Sequence, residues 1–193
     1  MNKKKIILIG AGGHCVSVID VIEQEGKYEI FGILDNEKKT GDNILGYNIL
    51  GNDDIIDEFS ETEFYFLITV GQIKSAVIRK RIAERLVNKN LATIVSPYAY
   101  VSTHAQVQKG TIIMHNAFIN AKANIGKHCI INTKSNIEHG VLIEDFCHIS
   151  TGAMINGDCH IGEESFVGSN ATLAQSIRLQ SGSIISAGEF IKR

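Results

Sequence analysis

The chain has 193 residues, with 19 lysines and arginines, 21 aspartates and glutamates, and a formal net charge of -2. That length suffices for one domain, or for two small domains that each have a core. The absence of a basic stretch interleaved with aromatic residues argues against a nucleic-acid surface and against an acidic-membrane partner. The apolar run Ile6–Ile9 is too short for a secretory signal or for membrane insertion, so we expect a cytoplasmic protein.

The first half of the chain alternates strand and helix patterns. Hydrophobic periodicity predicts a strand at Lys5–Ile9, a helix at His14–Glu25, a strand at Glu29–Leu34, a short helix at Asp53–Phe59 capped by Asn52, a strand at Phe64–Val70, a helix at Lys74–Val87 and a strand at Ala92–Val95. This alternation is typical of a parallel sheet with βαβ connections. We therefore predict a small Rossmann-like α/β domain over residues 1–97, which ends at Pro97, the only proline.

A glycine-rich turn separates the first strand from the first helix. Glycines let the backbone approach a phosphate closely, and a helix N-terminus presents free N–H groups. Asp35, at the end of the second strand, is placed to accept a hydrogen bond from a ribose or a base. Because Cys15 replaces the third glycine of the dinucleotide motif, we favour a nucleotide or nucleotide sugar, with a purely structural turn and NAD as alternatives. The candidate contacts in the turn are Gly10, Gly12, Gly13 and His14.

The second half of the chain repeats with a period of six. From Val101 to Ile185, every sixth residue is aliphatic, and the residue four positions after each of these is usually small. A hexapeptide period predicts a parallel β-helix over residues 98–193, in which three hexapeptide sides close each coil and equivalent aliphatic residues stack inside.

The four cysteines are interpreted from their places in these two patterns. Cys129, Cys147 and Cys159 fall at the small-residue position of the repeat, which predicts buried spacers in a reducing compartment. Cys15 lies in the first turn of a helix, where either packing or mild activation of the thiol is expected.

Six histidines lie in the predicted β-helix. Zinc sites of the γ-carbonic anhydrase type use two histidines five residues apart, and neither that spacing nor a pair stacked one coil apart occurs among them, so no metal is expected. His139 and His148 fall near corners of the repeat, where side chains are expected to project outward into a cleft between subunits.

Several motifs together resemble the bacterial amino-sugar and sialic-acid acetyltransferases of the left-handed β-helix superfamily. The motifs are the GAGGH turn, Asp35–Asn36, Gly71, Asn132–Thr133, Ile137–His139, Ile143–Ser150 and Gly157. The resemblance implies a homotrimer that uses acetyl-CoA and whose substrate clefts lie between subunits.

The resemblance also implies roles for individual residues. His139 corresponds to the catalytic base. His148, Gly157 and Ser169 correspond to acetyl-CoA contacts, and the nucleotide part of a sugar donor corresponds to Gly12, Gly13, His14, Asp35, Asn36 and Gly71.

Two departures from the family pattern stand out. Relatives carry an acidic residue after the catalytic histidine, whereas this chain has Gly140, which leaves Asp145 or a neighbouring chain to orient the ring. Relatives also continue into a G-x-P-A-type tail where this sequence ends at Phe190–Arg193, which affects the far end of the coenzyme site.

The predicted activity is acetyl-CoA-dependent N-acetylation of a nucleotide-linked 4-amino sugar in bacterial surface-glycan biosynthesis. The acetyl group is transferred directly, with a histidine as general base. O-acetylation of sialic acid or a related sugar is the nearest alternative, and a non-catalytic nucleotide-sugar-binding scaffold is the third.

Overall fold

The computed structural model describes residues 3–192 and divides the chain into two compact units. The first unit runs to Gly71 and resumes at Val77–Ile94, and the second comprises Gln72–Ala76 and the chain from Val95 onward. The outer ends of the two predicted domains, Met1, Asn2 and Arg193, lie outside the described residues. Across residues 3–192, no helix combines the length and the apolarity needed to span a membrane.

The first unit is an α/β fold around one sheet. Its elements are β1 (Lys4–Ile9), α1 (Gly13–Glu25), β2 (Tyr28–Leu34), β3 (Asn43–Ile44), β4 (Tyr47–Gly51), a 3₁₀ helix (Asp53–Glu58), β5 (Phe64–Ile68), α2 (Val77–Arg85) and β6 (Asn90–Leu91). The strand order is β3-β4-β2-β1-β5-β6, and every pairing is parallel except that of β3 with β4. The order in which strands are added to the sheet reverses at β1, since β2 pairs with one edge of β1 and β5 pairs with the other.

The elements form where the apolar pattern requires burial. The run Ile6–Ile9 in β1 is fully buried, as expected for a central parallel strand that is covered on both faces. The buried stripe of α1 includes Val18, Ile19 and Ile22, and the helix ends at Gly26, whose left-handed φ of 70° lets its N–H bond to the Ile22 carbonyl. The Asn52 side chain caps the 3₁₀ helix by accepting from the Asp54 N–H, as predicted.

Three details of the predicted first domain are wrong. The hairpin of β3 and β4, which is polar and short, has no counterpart among the predicted elements. Helix α2 begins at Val77 rather than Lys74, because Gln72–Ala76 packs as part of the second unit. The last strand of the sheet is β6, not Ala92–Val95, since Ile94–Val95 pairs within the second unit's sheets.

The second unit is a β-helix of two-residue strands. In chain order they are β7 (Ile94–Val95), β8 (Tyr100–Val101), β9 (Gln106–Val107), β10 (Ile112–Ile113), β11 (Phe118–Ile119), β12 (Asn124–Ile125), β13 (Ile130–Ile131), β14 (Asn136–Ile137), β15 (Leu142–Ile143), β16 (His148–Ile149), β17 (Met154–Ile155), β18 (His160–Ile161), β19 (Phe166–Val167), β20 (Thr172–Leu173), β21 (Arg178–Leu179), β22 (Ile184–Ile185) and β23 (Phe190–Ile191).

These strands form three parallel sheets, one on each side of the coil. The orders are β22-β19-β16-β13-β10-β7, β23-β20-β17-β14-β11-β8 and β21-β18-β15-β12-β9. Partners lie one coil apart, for example Ile113 with Ile131 and Ile125 with Ile143. The inward aliphatic residues form one buried cluster with the small residues, including Cys129, Cys147 and Cys159. The predicted hexapeptide packing and the three buried cysteines are confirmed.

The corners of the coil share one backbone conformation. The third residue after each inward aliphatic residue adopts a left-handed φ through most of the repeat, and these residues are Gly110, Asn116, Lys122, His128, Lys134, Gly140, Phe146, Gly152, Asp158, Glu164, Asn170, Ser176, Gly182 and Gly188. Side chains are therefore compatible with this corner position, although left-handed backbone usually favours glycine. Corner residues one coil apart stack on one another, as Phe146 stacks on His128 with ring centroids 4.9 Å apart.

Candidate active site

A cleft of about 290 Å³ opens in the first unit at the carboxyl ends of β1 and β5. This is the point at which the strand order reverses, where ligands bind in open α/β sheets. Its lining includes Gly12 from the glycine turn, Gly71 after β5, Asn36 from the loop beyond β2, and Asp53 at the start of the 3₁₀ helix.

The three glycines of the turn have different structural requirements. Gly10 has a φ of +108°, and a Cβ there would lie 2.5 Å from Cγ2 of Val70 and 2.8 Å from its backbone nitrogen, so the fold itself requires glycine. Gly12 and Gly13 are exposed, and a Cβ on either would meet nothing within 4 Å. Gly12 is the N-cap of α1 and supplies no side-chain cap, so the N–H groups of Gly12 and Gly13 face the cleft end of the helix without a side-chain cap and suit an anion.

Asp35 joins the glycine turn to the loop after β2. Its Oδ2 accepts from the Ala11 N–H at 2.6 Å, and its Oδ1 accepts from the N–H groups of Glu37 and Lys38 at 2.9 Å each. Burial acts to raise the pKa of this carboxyl, but the three backbone donors outweigh it and hold the pKa below its ordinary value. Asp35 is therefore an ionised residue that holds the glycine turn and the loop after β2 together through hydrogen bonds.

Asn36 and Asp53 form a second pair on the cleft wall. The Asn36 Nδ2 donates to Asp53 Oδ2 at 2.9 Å, and the Asn36 Oδ1 accepts from the Asp53 N–H at 3.2 Å. Burial raises the pKa of Asp53 above its ordinary value. His14 lies beside Gly71, since the His14 Cβ is 3.6 Å from the position that a Cβ on Gly71 would take.

Cys15 is not activated by the helix N-terminus. The thiol is fully buried, and burial raises its pKa to about 11. The packing interpretation holds for this residue, and the mild activation considered from its place in the helix is wrong.

On the β-helix, the imidazole of His139 lies over Gly157. The histidine side chain is 58% exposed. A Cβ on Gly157 would lie 2.6 Å from Cε1 and 2.8 Å from Nε2 of His139, but 3.3 Å from Nδ1, so the Nε2 edge of the ring faces the glycine. The Gly157 carbonyl accepts from the Ser176 N–H at 2.9 Å, whereas its own N–H has no hydrogen bond within residues 3–192.

The other edge of the His139 ring faces a carboxylate. Nδ1 lies 3.9 Å from Oδ1 of Asp158, whose side chain is 55% exposed. Asp145, which the sequence analysis considered for this role, instead accepts from the Lys127 N–H at 2.7 Å.

Glu138 is also engaged elsewhere. Its carboxylate accepts from the Asn136 amide at 3.0 Å and from the Asn120 amide at 2.7 Å. These two donors lower the pKa of Glu138, so it is held ionised away from the ring.

His148 does not project outward as expected, because it is 8% exposed. Its Nδ1 contacts the carbonyl of Gln72, and since a carbonyl only accepts, the ring donates from Nδ1. Its Nε2 then accepts from the Asn132 amide at 3.2 Å. Gln72 is itself buried and donates from Nε2 to the carbonyl of Phe146 at 2.8 Å.

Ser169 follows β19, on a different side of the coil from His139 and Gly157, and is half-buried. Its hydroxyl shares a hydrogen bond of 3.0 Å with the hydroxyl of Ser150. The structure thus brings His139 and Gly157 together with a carboxylate, and separately brings His148 together with the Asn132 side chain and the Gln72 backbone carbonyl.

Family models match both units of the chain. The PglD N-terminal domain matches residues 5–86, the bacterial transferase hexapeptide (six repeats) matches 140–175, and the hexapeptide repeat of succinyl-transferase matches 160–193. The acetyltransferase domain of PglB from Neisseria gonorrhoeae FA1090 superposes with a TM-score of 0.90 at 29% identity, over 98% of this chain and 92% of that one.

Together, these matches support a bacterial sugar acetyltransferase of the hexapeptide-repeat superfamily. Its β-helix is accordingly left-handed. The same PglB domain in complex with acetyl coenzyme A superposes with a TM-score of 0.88 at 29% identity, over 97% of this chain and 90% of that one.

A variant of perosamine N-acetyltransferase from Caulobacter crescentus, in complex with CoA and GDP-perosamine, shares the fold. It superposes with a TM-score of 0.91 at 23% identity, over 98% of this chain and 89% of that one. None of the curated proteins compared with the acetyltransferase matches it.

Four residues at the acetyltransferase's candidate sites have no site role in the sequence-based predictions, although Asn132 lies in one of the family motifs: Asp53, Gln72, Asn132 and Asp158. A usable signal existed for Asp158 alone, because it stands one coil period after Gly140 and the period stacks the two corners. The other three act through contacts between residues distant in sequence, which no local pattern encodes.

Proposed function

We propose that this acetyltransferase transfers an acetyl group from acetyl-CoA to the amino group of a nucleotide-linked sugar, with His139 as the general base. The observation that carries the proposal is the exposed imidazole whose Nε2 edge lies over Gly157, a residue with an unused N–H. A base and an oxyanion donor side by side are the two groups that acyl transfer to an amine requires.

The reaction we propose is direct transfer. The amine nitrogen attacks the thioester carbonyl, the C–N bond forms, and the C–S bond breaks. His139 takes the proton from the attacking nitrogen and returns it to the departing sulfur, so the products are an N-acetyl sugar and CoA. The oxyanion that develops on the carbonyl accepts from the Gly157 N–H.

The nucleotide portion is assigned to the cleft of the first unit. The backbone N–H groups of Gly12 and Gly13, at the start of α1, suit a diphosphate. Asn36 and Asp53 on the wall offer polar groups for a base or ribose, and His14 lies beside the lining residue Gly71. Support comes from the PglD N-terminal domain match over residues 5–86.

The coenzyme is assigned to the β-helix. Gly157 and Ser169 follow β17 and β19 on adjoining sides of the coil. The ring of His148 is buried, so His148 acts indirectly, by holding the Asn132 side chain and the Gln72 carbonyl in place. We propose that the working assembly is a homotrimer, which light scattering tests as three times the 21.1 kDa chain mass.

An acceptor panel tests the activity. The protein is mixed with acetyl-CoA and either a 4-amino nucleotide sugar, the corresponding free amino sugar or sialic acid, and the released CoA thiol is followed. Release with the nucleotide-linked amine alone supports the proposal. Release with sialic acid indicates O-acetylation, and nucleotide binding without release from any acceptor indicates a scaffold.

Substitution of the histidine tests the base. We expect His139→Ala to lower kcat by about 10²–10⁴-fold, the usual contribution of a general base, with the oligomer and the melting temperature unchanged. His128→Ala serves as the control, because His128 is a corner histidine buried against Phe146 and Gly110 rather than beside Gly157. Wild-type turnover in folded His139→Ala would remove the assignment.

A further inference from the structure

The carboxylate of Asp158 occupies the volume that a side chain at Gly140 would take beside His139. The two residues occupy the same corner position on successive coils, with left-handed φ values of +59° and +69°. A Cβ on Gly140 would overlap Oδ1 of Asp158. The glycine therefore makes the room in which the carboxylate of the next coil folds back toward the imidazole.

The backbone alone does not demand glycine at this corner. Lys122 and Ser176, one coil before Gly140 and one coil after Asp158, adopt the same left-handed conformation with side chains. A side chain at position 140 would instead displace the carboxylate of Asp158 from the place it takes beside His139.

The ring of His139 has its two nitrogens on different neighbours. Nε2 faces Gly157, and Nδ1 faces Asp158 at 3.9 Å. In residues 3–192 no other carboxylate lies within 4.0 Å of this ring. Both side chains are more than half exposed, so a side-chain rotation can close the gap to a hydrogen bond once substrates are bound; catalytic hydrogen bonds are commonly long in the free enzyme.

We propose that Asp158 is a positioning residue for the proposed reaction, accepting the Nδ1–H of His139 so that Nε2 is left unprotonated toward the amine. A histidine base needs the tautomer that has its lone pair on the attacking side, and a carboxylate on the opposite nitrogen selects that tautomer and stabilises the imidazolium that forms. The inference rests on the proposed role of His139.

A set of variants tests this. Asp158→Asn keeps the shape and the backbone N–H that bonds to the His139 carbonyl at 3.0 Å, but it removes the charge. We expect kcat to fall by about tenfold or more, and KM for both substrates to change little. The loss should be smaller than the roughly 10⁴-fold loss of kcat that follows when a buried carboxylate partner of a catalytic histidine is neutralised. Glu164→Gln, a carboxylate at the same corner position on another edge of the coil, is the matched control and should keep wild-type kcat.

Relocating the carboxylate is the sharper test. Asp158→Gly empties the volume, and Gly140→Asp alone forces two carboxylates into it, so both are expected to lose activity. The double variant Gly140→Asp/Asp158→Gly places one carboxylate in the same volume from the neighbouring coil. We expect its kcat to be at least tenfold higher than the kcat of Asp158→Gly. A purely structural role for Asp158 would not be restored in this way.

Two comparisons separate this inference from the proposed function. In the His139→Ala background, Asp158→Asn should cause no further loss, because one group acts through the other. If His139→Ala is inactive while Asp158→Asn turns over like wild type, the positioning role is overturned and the base stands. If His139→Ala is fully active, both fall. Melting temperatures identify any variant that fails to fold. If the double variant fails to fold, Asp158→Asn, alone and in the His139→Ala background, decides whether Asp158 has a positioning role.

Discussion

The Nε2 edge of His139 lies directly against the α-carbon of Gly157, and no side chain fits between them. A Cβ on Gly157 would lie 2.6 Å from Cε1 and 2.8 Å from Nε2 of the ring. The two residues stand at the same position of adjacent coils, so the close approach is a consequence of the coil period.

Gly157→Ala should therefore displace the imidazole. Because His139 is exposed, its ring can swing away, so we expect stability to be nearly unchanged and kcat to fall by roughly tenfold or more as the base leaves its position. Gly182→Ala, which adds a methyl group where nothing lies within 4 Å but at a left-handed φ of +73°, is the control for kcat only. Kinetics at saturating substrate and a thermal melt measure the two effects, and full activity in Gly157→Ala would show that the observed ring position is not the working one.

The glycine turn yields a paired prediction. Gly10→Ala introduces a Cβ 2.8 Å from the Val70 nitrogen at a φ of +108°, so we expect a loss of about 2–4 kcal/mol in the free energy of unfolding. Gly12→Ala meets no atom within 4 Å, so stability should hold while KM for the nucleotide sugar rises. Denaturant melts and steady-state kinetics measure both. If Gly12→Ala left KM unchanged, phosphate contact at this turn would be ruled out.

Asp35 is expected to stabilise the first unit in a pH-dependent way. Its pKa is lower in the folded chain than in the unfolded chain, so its contribution is complete above the ordinary value of 3.8 and is lost as the pH falls through the folded value. Asp35→Asn should cost about 1–3 kcal/mol at pH 7, because a neutral amide accepts less strongly from the Ala11 N–H. Urea melts at pH 7 and pH 3 should show the difference between wild type and variant shrinking in acid.

The Cys15 thiol predicts a loss of stability in base. Its pKa rises from 9.0 in the unfolded chain to about 11 in the folded one, so the native state holds the proton more tightly and stability declines between pH 9 and pH 11. The full effect is on the order of 2–3 kcal/mol. Cys15→Ala removes this contribution, so its unfolding free energy should fall less steeply over that range; parallel curves for the two proteins would contradict the buried-thiol assignment.

Direct transfer predicts that no cysteine carries the acetyl group. Cys147 is buried, its sulfur contacts the Gly162 carbonyl at 3.2 Å, and its contact with Cys129 together with burial raises its pKa above the ordinary value. Cys147→Ser should keep most of the activity, and the thiols of the folded protein should resist alkylation at pH 8. Mass spectrometry after incubation with acetyl-CoA alone checks for an acyl-cysteine, whose presence would refute direct transfer.

The β-helix could be predicted from the sequence because its cause is repeated and local. An aliphatic residue at every sixth position leaves one packing arrangement, and each of many coils restates it, so Ile113, Ile131 and Ile149 stack as the period requires. Strands β1, β2 and β5 and the first helix of the α/β unit are likewise predicted by apolar runs, and the glycines of the turn by their spacing.

Tertiary packing decided the details that matter for the sites. Lys74–Ala76 is predicted as the start of a helix, but the whole segment Gln72–Ala76 packs with the β-helix, because Gln72 finds partners at Phe146 and His148, far along the chain. That contact buries His148, which is expected to point outward near a corner but lies in β16. The carboxylate beside His139 comes from the next coil at Asp158, since stacking brings together equivalent corners of successive coils. Local periodicity determines which residues point inward, but contacts between distant segments determine which outward residues meet.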